Sequence, residues 1–171
     1  VITMDMGGTS CDVSLVENGE AEMSTDVEVG GYPIGLRMVD IHTIGSGGGS
    51  IAWVDEGGAL RVGPRSAGAD PGPVCYGRGG TEPTVTDAHA VLGRIDPGEF
   101  STIDDVPDEE VRDAIRGVGE ELDMDVEETA RGIVEVANAE MRRALRVVSV
   151  QRGYDPREFA LVAFGGAGPL H

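Results

Sequence analysis

Apolar positions follow two regimes along this chain. In the first half they come as short extended bursts broken by glycine, and in the second they recur every third or fourth residue. Residues 1–4 are an apolar run ending at Asp5, and residues 12–17 resume as a strand. Asn18-Gly19 stands between two extended stretches, the pattern of a type I′ hairpin turn whose central residues both need positive φ. Alternation over 20–29 predicts one half-buried antiparallel strand. Ala21, Met23, Val27 and Val29 would face inward, and Glu20, Glu22, Ser24, Asp26 and Glu28 outward. A second hairpin is predicted from 51–54 and 59–62, joined by Asp55-Glu56-Gly57-Gly58.

Residues 63–83 contain ten glycines and prolines and no regular period, which predicts a long functional or irregular loop. Thr86 then offers an N-cap to a short helix running to Gly93. Val111, Ile115, Val118 and Leu122 predict an amphipathic helix over 108–122. The clearest helix starts after Asp125, with Glu128 completing a capping box. Its apolar stripe is Val126, Ala130, Ile133, Ala137, Met141, Leu145 and Val148, and Arg142, Arg143 and Arg146 crowd the end where the helix dipole favours cations. Past Gly153, six apolar residues at 159–164 predict a strand buried on both faces of a parallel or mixed sheet. The order of elements is that of an α/β fold, and 171 residues suit a single domain.

Charge narrows the function classes. All 13 cations are arginine, against 31 acids, a net of −18. Residues 96–128 alone carry 14 acids and two arginines. Binding to a nucleic-acid backbone or an anionic membrane is therefore not expected, and no apolar run approaches the ~18 residues of a membrane span. An acidic, lysine-free surface suits a high-salt cytoplasm; a plain preference for arginine is the alternative. Cys11 and Cys75 are too few for a disulfide framework and have no metal-ligand spacing, which points to a reducing, cytoplasmic setting. Val1 is not a natural start, so residues 1–171 are expected to be one domain of a longer chain, with 95–128 as an acidic, variable segment.

Two glycine turns carry the candidate chemistry. The first is Asp5-Met6-Gly7-Gly8-Thr9-Ser10-Cys11-Asp12. Paired glycines let backbone N–H groups approach an anion, Thr9 and Ser10 add hydroxyls, and Asp5 could hold a hydrated Mg²⁺ or orient a water. An ordinary glycine hairpin has the same local pattern. The second is Gly165-Gly166-Ala167-Gly168-Pro169, directly after the buried strand, where α/β sheets usually bind ligands. Pro169 is placed to open a helix. Asp40 and His42, two apart, would face the same way on a strand and could ligate a metal or pass a proton, or His42 could be a structural hydrogen-bonder. Arg65 and Arg78 could pair with an anionic substrate or stay solvated. Cys75 reads as a small buried residue.

Together the two turns resemble the second phosphate loop and the adenosine loop of the actin, sugar-kinase and heat-shock ATPase superfamily. Three longer stretches are similar to the hydantoinase A / 5-oxoprolinase / acetone carboxylase family: Asp40-Ile41-His42-Thr43-Ile44-Gly45-Ser46-Gly47-Gly48-Gly49-Ser50, residues 63–80 from Gly63-Pro64-Arg65 to Gly79-Gly80, and Pro83-Thr84-Val85-Thr86-Asp87-Ala88.

The resemblance implies one lobe of an actin-like ATPase (ribonuclease H-like) fold, a mixed sheet with flanking helices and an inserted irregular β/loop region. It implies that Gly7, Gly8, Thr9 and Ser10 contact the β/γ-phosphates of ATP, that Asp5 and Asp12 lie near Mg²⁺ and its waters, and that Gly165, Gly166 and Gly168 approach the adenosine. Thr9 stands where glycine is commoner in the superfamily, and a first phosphate loop would lie upstream of Val1, so this segment by itself is not expected to turn over ATP. The implied activity is ATP-dependent opening of a cyclic amide, such as an N-methylhydantoin or 5-oxoproline, with a hydantoinase B-type subunit as partner. The ATP-using subunit of a ketone carboxylase is the rival enzyme, and a non-catalytic ATP-binding module the rival of another class.

Overall fold

The computed structural model describes residues 1–25, 27–29, 32–100 and 108–171. Its strands are β1 (Ile2–Met6), β2 (Cys11–Glu17), β3 (Glu20–Ala21), β4 (Met23–Ser24), β5 (Val27–Val29), β6 (Tyr32–Ile34), β7 (Met38–Val39), β8 (Ile41–Ile44), β9 (Ser50–Val54), β10 (Leu60–Ser66) and β11 (Leu161–Phe164). The helices are α1 (Val85–Val91), α2 (Pro97–Phe100), α3 (Asp108–Glu120) and α4 (Val126–Val148).

The principal sheet is mixed. β1 pairs antiparallel with β2 and parallel with β11, and β2 carries both β3 and β8 on its other side. Alternation sorts its faces. Ile2, Met4, Met6, Cys11, Val13 and Leu15 point to one side and pack with Met141, Ala144 and Val148 of α4. Thr3, Asp5, Asp12 and Ser14 occupy the other side, where the Thr3 and Ser14 hydroxyls meet at 2.7 Å. A second core joins Ala52 of β9, Val85 and Ala88 of α1, Ile115 of α3 and the first half of α4. The helix therefore serves two cores in series, and each large side chain that it buries contributes about 1.5–3 kcal/mol.

Locally encoded features stand as expected. Asn18 and Gly19 have φ of 52° and 84° and set the β2–β3 hairpin. Asp125 and Glu128 form the capping box of α4. β9 and β10 form the second hairpin.

Four expectations are corrected. The single strand over 20–29 is broken into β3, β4 and β5, and β4 and β5 pair instead with β7 and β6 in small two-stranded ribbons; Asp26 lies outside the described residues. Met23 is exposed, on a ribbon separate from the principal sheet. The N-cap of α1 is Thr84, whose side chain accepts from Asp87 N, while Thr86 sits inside the first turn. β11 is an edge strand with Leu161, Val162 and Phe164 each 44–52% exposed, so its apolar run is not buried on both faces here. Pro169 stands in the first turn of a 3₁₀ helix, Gly168–Leu170. No described helix is long and apolar enough to cross a membrane.

Candidate functional site

β1 and β11 run parallel with Asp5 opposite Phe164, so the turns that follow them leave the sheet side by side at one end. Ala167 N donates to Met6 O at 2.9 Å and fastens the second turn to the first. Gly165 has φ of 83°, and a Cβ there would run into the Asp5 carboxylate and the Met6 carbonyl. Only glycine fits both requirements.

The loop after β8 closes on the first turn from the other side. Gly48 N donates to Gly7 O at 2.9 Å and Gly49 N to Gly8 O at 2.7 Å. Thr86 of α1 in turn gives both its N–H and its hydroxyl to Gly48 O, each at 2.8 Å. The glycine turn is thus braced through Gly48 to a helix end. Ser46, in the same loop, has the one buried side-chain oxygen without a hydrogen-bond partner among the described residues.

A cavity of about 210 Å³ lies where these pieces converge, lined among others by Gly7, Gly8, Gly48, Gly166 and Ala167. Nothing lies within 4 Å of where a Cβ would stand on Gly7, Gly8 or Gly166. The three form an open cradle that a side chain would fill, the form suited to a phosphate approached by backbone N–H groups.

Asp5 and Asp12 are direct partners across the β1–β2 hairpin, on the polar face beside the cradle. Thr43 Oγ1 donates to Asp12 Oδ1 at 2.5 Å. With Cys11 buried, its thiol is pushed up to about 11, first by desolvation and then by the charges of Asp12 and Asp5, which rules it out as a nucleophile near neutrality. The carboxylate pair suits Mg²⁺, which takes one or two carboxylates and completes its shell with water and phosphate. No group of three metal-ligating side chains occurs among the described residues.

Asp40 and His42 do not join this site. Asp40 precedes β8 and is held by Arg152 Nη1 at 2.5 Å, which also holds Glu22 at 2.6 Å. His42 pairs with Val13, so it lies on the core side of the sheet, opposite to Asp12 and Thr43. Arg65 is ion-paired to Glu82 at the surface, and Arg78 stacks 5.7 Å from the Tyr76 ring centre.

Sequence reasoning missed four cavity walls: Tyr76, Thr86, Ile95 and Leu170. Tyr76 reaches the site because Asp87, fully buried, accepts from Val74 N, Cys75 N, Thr84 N and the Thr84 hydroxyl, pinning the 74–76 turn against α1. The available signal was an aromatic residue inside a glycine- and proline-rich loop. Cys75 is buried as expected, and desolvation followed by Asp87 drives its thiol far up.

The hydantoinase/oxoprolinase family model matches residues 1–171. The chain belongs to that family. It is 49% identical over its whole length to the caprolactamase subunit alpha of Pseudomonas jessenii, covering 25% of that protein. It is 41% identical to 5-oxoprolinase 1 of Arabidopsis thaliana, again over its whole length and 15% of the relative. Among solved structures, the ATP-dependent caprolactamase from Pseudomonas jessenii superposes over 100% of the chain and 25% of its own, with a TM-score of 0.90. A nucleotide-free acetone carboxylase, 32% identical, superposes over 99% and 24% with a TM-score of 0.88. The chain thus spans about a quarter of the length of these two solved relatives. Its α/β architecture, one lobe of the actin-like ATPase type, is shared with both.

Proposed function

We infer that this family member is the phosphate- and adenosine-contacting segment of an ATP-dependent cyclic-amide hydrolase, similar to N-methylhydantoinase. The observation that carries this reading is the convergence of the Gly7-Gly8 and Gly166-Ala167 turns on one glycine-walled cavity at the carboxyl end of parallel β1 and β11. Crevices at that end of an α/β sheet are where nucleotides bind.

A ring amide carbonyl is a poor electrophile. Transfer of the γ-phosphoryl group to its oxygen forms an O–P bond and breaks the bond to the ADP oxygen. Water then adds to the activated carbon, the C–N bond opens with a proton passing to nitrogen to leave an acyl phosphate, and a second water releases phosphate and the carboxylate. Backbone N–H groups of Gly7 and Gly8 and the hydroxyls of Thr9 and Ser10 would hold the phosphates, which is most of what phosphoryl transfer asks of a protein. Asp5 and Asp12 would hold Mg²⁺ through its waters, with Thr43 fixing the Asp12 carboxylate. When bound, the ion would neutralise phosphate charge. Gly165, Gly166 and Gly168 would border the adenosine.

The partner in this reading is a hydantoinase B-type subunit, the substrate a ring such as a hydantoin, and the setting cytoplasmic. The similarity to acetone carboxylase supports a second reading, an ATP-using subunit of a ketone carboxylase. The test is ATP hydrolysis by the full-length protein with its partner subunit, over hydantoins, 5-oxoproline, caprolactam, and ketones with bicarbonate. Ring-opened product with stoichiometric ADP is expected. Carboxylated ketone selects the second reading, and ATP binding without any product selects a non-catalytic module.

A further inference from the structure

Behind the cavity wall, Arg94, His89, His171 and Asn138 form a chain of hydrogen bonds. His89 is fully buried on α1, and its Nε2 lies 3.4 Å from Nε2 of His171. The rings meet edge to face with centres 4.7 Å apart. Arg94 Nη1 lies 3.4 Å from His89 Nδ1 and also donates to Leu170 O at 3.3 Å. At the other end, Asn138 Oδ1 on α4 lies 2.9 Å from His171 Nδ1.

The direction of every bond follows from one end. A guanidinium only donates, so His89 Nδ1 accepts and its ring proton is on Nε2. That proton points at His171 Nε2, which must accept. His171 therefore carries its proton on Nδ1 and donates to Asn138, whose oxygen must face it. Turning any one member around sets two donors against each other at one of these contacts. Both rings are neutral in this arrangement, and an extra proton on either would break a bond.

Both imidazoles accordingly titrate well below the usual range, at about 4, with burial as the main cause. Arg94 lowers both further, and His171 also lowers His89. The charged group facing the pair from the loop after α1 is Arg94. From α4 come the neutral Asn138 and, in the groove that His171 shares, Arg142. No carboxylate hydrogen-bonds to either ring among the described residues.

The chain ties together three parts of the cavity wall. Thr86 is on α1 with His89, Ile95 follows Arg94, and Leu170 precedes His171. We propose that His89 and His171 are positioning residues that hold the 165–170 turn at the separation from α1 that a nucleotide requires. This rests on the nucleotide reading of the cavity given above. Neither ring needs to touch the nucleotide, because both act through Leu170 and the turn.

The test uses the full-length protein with its partner subunit. His171→Phe keeps ring bulk without donor or acceptor; His171→Asn keeps an N–H for Asn138; His89→Gln keeps the N–H toward His171. Loss of two hydrogen bonds in His171→Phe should raise KM for ATP about tenfold with kcat within about twofold, and His171→Asn should recover much of that loss. A fall in kcat or in folded yield with KM for ATP unchanged overturns the proposal. Wild-type protein that binds no ATP in calorimetry defeats the nucleotide reading itself, whereas equal ATP binding by wild type and variant defeats only the positioning role. Should His171→Phe fail to fold, His89→Gln gives the kinetic readout. ¹⁵N shifts of the wild-type imidazoles then decide the geometry: Nε2–H on His89 and Nδ1–H on His171 are expected, and the reverse tautomers, or a charged ring at neutral pH, overturn it.

Discussion

Gly47 lies against the backbone of the first glycine turn: a Cβ at position 47 would stand 2.6 Å from the Gly8 carbonyl carbon and 2.6 Å from Thr9 N. Backbone cannot rotate aside as a side chain can, so the whole turn would have to move.

Gly47→Ala should therefore cost about 1–3 kcal/mol, the usual range for overpacking, and should raise KM for ATP. Gly45→Ala is the matched control, since nothing lies within 4 Å of a Cβ there. Thermal midpoints and ATP kinetics of the two variants check this. Equal midpoints would show that the contact does not constrain the turn.

Gly8→Val should behave in the opposite way. The space around a Cβ on Gly8 is open, and the residue lines the cavity. The fold should survive while the side chain obstructs the phosphate, so ATP hydrolysis should be lost at an unchanged thermal midpoint. Asp5→Asn should lower turnover more than nucleotide affinity, as a residue acting on water or Mg²⁺ would. Wild-type turnover in either variant, with substrate present, rejects the site.

The buried imidazoles predict an acid-side loss of stability. Their folded values, about 4, lie below the ordinary 6.5, so between these limits the unfolded chain binds more protons than the folded one. Stability must then rise with pH through this window and fall as pH drops from about 6.5 toward 4. For fully buried His89 the contribution is on the order of 3 kcal/mol. Urea midpoints measured from pH 7 to 4.5 should slope downward in the wild type and less steeply in a His89→Gln, His171→Asn double variant. Parallel slopes would count against the buried neutral pair.

Net charge predicts salt dependence. With −18 overall and the excess concentrated in 96–128, self-repulsion acts across the molecule in dilute buffer, where the Debye length is about 30 Å, and is screened at 1 M, where it is about 3 Å. The described ion pairs within and beside the block, Arg112–Glu127 and Arg116 with Asp113 and Glu109, engage both of its arginines and leave most of its acids unpaired. The thermal midpoint should climb steeply with KCl, and a further gain well above 1 M would favour a halophilic origin. A flat or falling midpoint would remove the charge block from the account of stability.

What was legible in the sequence is what short-range physics controls. Asn18-Gly19 sets its own turn because few other residue pairs tolerate two positive φ values. Asp125 with Glu128 starts α4, and the 3.6-residue period of its apolar stripe fixes the buried face, because caps and periods are local. The two glycine turns could be recognised as candidate loops for the same reason. Tertiary structure decided which segments meet. Parallel pairing of β1 with β11 sets Gly7 beside Gly166 across more than 150 residues, and neither segment encodes the other. Thr84 displaced Thr86 as the cap of α1 because Asp87, itself fixed by the N–H groups of Val74 and Cys75, is its partner, while the Thr86 hydroxyl donates to Gly48 O. Asp40 lies before β8, whose register sets Ile41 opposite Ser14, and its carboxylate is held by Arg152 from far along the chain. His89 and His171 carry no local signal at all. Their pairing exists only because α1, α4 and the second turn meet, burying His89 fully and His171 in part, and no periodicity along the chain records that.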